Sequence, residues 1–156
     1  MIQNLIIIQD GLAIFNENFG DCHKTNSNPL LLSAFFDALL NFSYEFEQGN
    51  LEQVSFKNAL VHFYSKDKLL FVAISDLEDT QEKIISKLKL AAKLFLDKYS
   101  EILEDYSGEI SQFNDFRNLL LENDITQINC GKYTQCSYCQ NKDNENTIIS
   151  EIIQKN

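Results

Sequence analysis

Residues 2–19 read IQNLIIIQDGLAIFNENF, two runs of strand-forming residues on either side of Asp10-Gly11. An Asp-Gly pair between such runs is the strongest short-range hairpin signal, because a two-residue turn of this kind needs positive φ. The second run alternates apolar and polar side chains through Leu12 and Ile14, with Phe19 at its end. The first run does not alternate. Leu5, Ile6, Ile7 and Ile8 are consecutive, which predicts a central strand covered on both faces.

Such a strand needs further strands beside it and a layer above and below. A polar loop over residues 20–28, GDCHKTNSN, ends in Asn28 as a helix cap before Pro29 at the first helical position. The spacing then predicts a helix over 30–48. Ser33, Asp37, Asn41, Glu45 and Gln48 form a polar stripe on it, and most of the remaining circumference is apolar, including Leu31, Phe35, Phe36, Leu40, Phe42 and Phe46. A helix this apolar needs contacts on more than one side. Gly49-Asn50 ends it. Three short strands are expected at 51–57, 59–65 and 69–75, with Asn58 and the KDK segment as turns. Ile84, Leu88, Ala91, Phe95, Tyr99, Ile102 and Tyr106 recur at threes and fours, which predicts a long helix from Thr80 to Tyr106 capped by Asp79 or Thr80. A shorter helix is expected at 112–122 and another at 145–154. This order (β-β-α-β-β-β-α) describes an α+β fold with a five-stranded, mainly antiparallel sheet and a helical, cysteine-containing C-terminal extension.

Composition removes several function classes. The 156 residues carry 13 Lys and Arg against 23 Asp and Glu, a net charge of −10. That balance opposes nucleic-acid binding, which requires clustered cations to displace counterions, and unaided docking to an anionic membrane. The short N-terminal apolar run lacks a basic region before it, unlike a secretory signal, and no stretch approaches the ~18 apolar residues of a membrane helix. The expected location is the cytoplasm, with contact to membranes only through a partner. No phosphate loop occurs among the five glycines, and no serine sits in a strand–turn–helix elbow. Glu45, Glu47, Glu101, Glu104 and Asp105 fall on polar helix faces, and His62 lies among strand residues as a satisfied sheet residue.

The segments MIQNLIIIQDGLAIFNENF (1–19), NALVHFYSKDKLLFVAISD (58–76) and TQEKIISKLKLAAKLFLDKY (80–99) together resemble the longin domains and the small subunits of clathrin-type adaptors, within the SNARE-like superfamily. The resemblance is one of topological pattern and covers roughly residues 1–107, leaving 108–156 as an extension. The related roadblock fold normally begins with a helix, whereas this chain begins with a strand. The resemblance implies a non-catalytic platform that binds other proteins, in membrane traffic or small-GTPase regulation. The implied partners are a small GTPase, longin- or roadblock-type subunits, or a second copy in a homodimer. No catalytic residue carries over, because the family has none. Residues 108–156 depart from the longin-type fusion proteins in lacking a long heptad helix and a membrane anchor.

The extension carries the segment NCGKYTQCSYCQNKD, with Cys130, Cys136 and Cys139 within ten residues. Cys136 and Cys139 have the spacing of half a structural zinc site, and Cys130 is a candidate third ligand. Cys22, or His23 as the alternative, would complete four ligands and staple the loop after the first hairpin to the extension. Two other readings stand beside this clip: ordinary reduced thiols, and a thiol-redox Cys-x-x-Cys pair without the thioredoxin-like strand and helix around it. The functional alternative to an interaction module is therefore a metal-binding or thiol-redox protein, with a small-molecule sensor on a related sheet a third class. The clip predicts one zinc per chain by elemental analysis and thiols released by a chelator. Four freely reactive thiols without metal dismiss it.

Overall fold

The computed structural model describes residues 1–20, 28–45, 51–106 and 108–128. Asp10 and Gly11 both take positive φ, 50° and 77°, closing a tight turn between β1 (Ile2–Gln9) and β2 (Leu12–Asn18). A second turn, with Asp67 at φ 55°, joins β4 (Leu60–Lys66) to β5 (Leu69–Ser75). With β3 (Gln53–Ser55) they form a five-stranded sheet, ordered β2-β1-β5-β4-β3, whose neighbours are all antiparallel. The fold is α+β, as the sequence pattern predicts. β3 is shorter than the expected 51–57, pairing over only three residues with β4.

β1 lies between β2 and β5, so its backbone is paired on both sides. Its continuous apolar run follows from cover on both faces. Leu5 and Ile7 point into a core shared with α2 (Gln81–Glu104) and α3 (Phe116–Glu122), while Ile6 and Ile8 join Phe36 and Leu40 of α1 (Pro29–Glu45). β5, at the centre, is buried throughout.

Two register slips adjust which side chains reach which core. On β1 the register with β5 shifts between Ile2 and Asn4, so Gln3 is the extra residue and Ile2 shares the α2-side core with Leu5. On β2 the shift opposite Ile7 and Ile8 makes Ile14 extra, and both Ile14 and Phe15 enter the α2-side core. An inserted residue breaks strict alternation locally, which is how adjacent residues come to share a face.

The α2-side core centres on aromatic rings. Phe95 meets Tyr99 and Phe116 at 4.9 Å and Phe113 at 5.3 Å, with Phe71 of the sheet at 6.1 Å. Where a single helix is expected at 112–122, the chain makes a 3-10 turn (Ile110–Phe113) and then α3, and both Phe113 and Phe116 are fully buried. The Thr80 cap is present in position but not in bonding: Thr80 makes no side-chain cap hydrogen bond, and the Asp79 carboxylate instead accepts from the Met1 ammonium.

Replacing the hub ring, Phe95→Ala, is expected to lower unfolding free energy by about 3–5 kcal/mol in urea titration, as large-to-small changes in packed cores do. Leu90→Ala, on the exposed side of the same helix, is expected to stay within about 0.5 kcal/mol.

Candidate interaction surface

α1 presents two contrasting faces. Asn28 caps its start, its side-chain oxygen accepting from the Leu30 N–H at 3.0 Å. Inward, Ser33, Phe36 and Leu40 are buried, and the Phe36 ring stands edge-on to Phe63 of β4 at 5.6 Å. Outward, Leu30, Leu31, Phe35, Phe42 and Tyr44 remain accessible, with Leu31 71% and Phe42 59% exposed. Asp37 is the only charged side chain between Pro29 and Tyr44. It accepts from the Asn41 side chain at 3.2 Å and lies near Gly11 at the hairpin turn.

The polar stripe lies only partly on the solvent face: Asn41 and Glu45 are exposed and Asp37 is half-buried. Ser33, its first member, is fully buried and donates its hydroxyl to the Leu30 carbonyl at 3.1 Å. A helical serine can satisfy itself on the preceding turn, so it is compatible with either side, and the apolar residues take the solvent side because there are too many for one core. Such contiguous exposed apolar surface is the usual signature of an interaction site.

A second cluster gathers at the opposite end of the α2-side layer. The His62 Nε2 lies 2.9 Å from the Ser75 hydroxyl across β4 and β5, and both residues are wholly buried. Gln3 donates to Asp76 at 3.1 Å, and Lys87 donates to the carbonyls of Asp124 and Ile125 at 3.0 and 2.6 Å, tying α2 to the chain beyond α3. The Thr126 hydroxyl donates to the Ile2 carbonyl at 2.7 Å. A cavity of about 250 Å³ opens here, bordered by Met1, Asp79, Lys83 and Thr126. Because His62 and Ser75 are sealed from solvent, the pair acts as a crosslink within the sheet. Burial, with a smaller contribution from the nearby N-terminal charge, holds the His62 pKa below its usual value, and its Nδ1 has no hydrogen-bond partner among the described residues.

Of the expected metal ligands, Cys22, His23, Cys130, Cys136 and Cys139 all lie outside the described residues. Among the described residues, no three His, Cys, Asp or Glu side chains group so as to hold a metal ion. Glu45, Glu101, Glu104 and Asp105 are exposed, as expected for polar helix faces, and Glu47 lies outside the described residues. Among the described residues no helix is long and apolar enough to cross a membrane. In comparison with known proteins, no family model and no curated sequence matches the chain.

His62 makes stability pH-dependent with a defined sign. Its folded pKa is lowered, so below the unfolded value of about 6.5 the unfolded chain binds a proton that the folded chain resists. Its contribution is present above that pH and lost as pH falls toward the folded pKa. Denaturant titrations from about pH 7 to pH 5 should show the parent losing more stability than His62→Gln, which keeps a neutral polar side chain throughout. Parallel curves would contradict this assignment.

Proposed function

We propose that this chain is a non-catalytic protein-interaction module of longin type, serving a trafficking-like or small-GTPase-regulating complex. The outward face of α1 is its principal contact surface. One observation carries the proposal: α1 closes the sheet with Phe36 and Leu40 while leaving Leu30, Leu31 and Phe35 exposed.

Each of those side chains gains free energy only when something covers it, at about 25 cal/mol per Å² of apolar area. The near absence of charge along the helix suits a small GTPase, another longin- or roadblock-type subunit, or a second copy, since none meets like-charge repulsion there. The five-stranded antiparallel sheet with one helix on one face and a long helix on the other also supports the longin comparison.

The double replacement Leu31→Asp/Phe35→Asp is expected to abolish self-association or partner capture while leaving the melting temperature within a few degrees of the parent. Light scattering coupled to gel filtration, with affinity capture in parallel, reads the outcome. Unchanged mass and an unchanged partner set would overturn the proposal.

A further inference from the structure

The β2 edge offers a second surface, independent of the α1 face. Among the described residues β2 pairs only with β1. Its outer side borders an open groove of about 220 Å³ that follows residues 13–17, walled by Pro29 on one side and by Ile110 and Asn114 on the other. Ile110, in its wall, is 57% exposed. Of the devices that usually protect edge strands, Leu12–Asn18 has no Lys or Pro, only the bulge at Ile14 and one charge, Glu17, which is paired with Arg117. The extra residue Ile14 bends one end, and Phe15–Asn18 keep a regular register with β1.

Glu109 and Asp115, the chain neighbours of the lining residues Ile110 and Asn114, are exposed. The neighbouring cation, Arg117, is held at 2.8 Å by Glu17. Every other described Lys or Arg lies between residues 57 and 98, on the β3–β4–β5 side or on α2.

We infer that this edge accepts an extended segment of a partner protein as a sixth strand, one in which Lys or Arg alternates with apolar side chains. Backbone pairing along Phe15–Asn18 would supply the main contacts, with the acidic rim selecting the charge. A second copy paired edge to edge would bring two acidic rims together, which like-charge repulsion opposes. The chain's own residues 129–156 carry three Lys against three Asp and Glu, with no alternating basic run.

The test titrates the full chain with a peptide of about eight residues alternating Lys and Val, reading backbone amide shifts by NMR. Shifts concentrated at residues 13–17 are expected, saturating below about 1 mM. Affinity should fall roughly tenfold in Glu109→Lys/Asp115→Lys, and binding should vanish for a Glu-Val peptide and for a backbone N-methylated Lys-Val peptide. The inference is overturned by no shift up to about 1 mM, by shifts centred elsewhere, or by equal binding of the N-methylated peptide. Concentration-dependent changes at residues 13–17 without peptide would also overturn it, by assigning the edge to a second copy.

Discussion

The double burial of β1 is the constraint on which the rest of the structure depends. Four consecutive apolar residues, Leu5 to Ile8, alternate between two cores, so neither face of the sheet can be left to water. The α2 side is closed by a long helix with a regular buried stripe and by the aromatic cluster around Phe95. The other side is closed by α1 alone among the described residues. A helix that must seal Ile6, Ile8, Val61, Phe63 and Val72 needs apolar residues on one face; α1 has them on nearly all faces. The excess is what motivates the proposal that this face meets a partner.

The strands and long helices were legible because each rests on a local rule: Asp-Gly at a turn, an unbroken apolar run at a doubly covered strand, a stripe at threes and fours on α2. Where several weak signals compete, the pattern misled. Ser33 read as the first residue of a polar stripe and is buried, bonded to its own helix, while Asn41 and Glu45 of the same stripe are exposed. The two register slips had no signature, since Gln3 and Ile14 are ordinary strand residues with no Gly or Pro to mark a bulge. The break before α3 was equally silent, although Phe113 and Phe116 at a spacing of three fit a continuous helix as well as a turn followed by one. The Met1 contact with Asp79 joins chain positions too distant for any spacing rule to connect.

The cysteine-based readings and the interaction reading rest on different observations. The ligand set proposed from spacing falls entirely outside the described residues, while the α1 face and the β2 edge follow from geometry. The two surfaces also differ in chemistry. The α1 face is broad, apolar and nearly uncharged, suited to a folded partner; the β2 edge is narrow and acid-rimmed, suited to an extended basic segment. A module with both would join a folded subunit and a peptide segment.

The most direct test compares the two faces of α1 by denaturant unfolding of single variants. Phe36→Ala, on the inner face, is expected to lose about 3–5 kcal/mol, whereas Leu31→Ser and Phe35→Ser are expected to lie within about 0.5 kcal/mol of the parent. Comparable losses on both faces would mean that the chain itself covers the outer residues, and that the apolar face serves stability, contradicting its assignment to a partner.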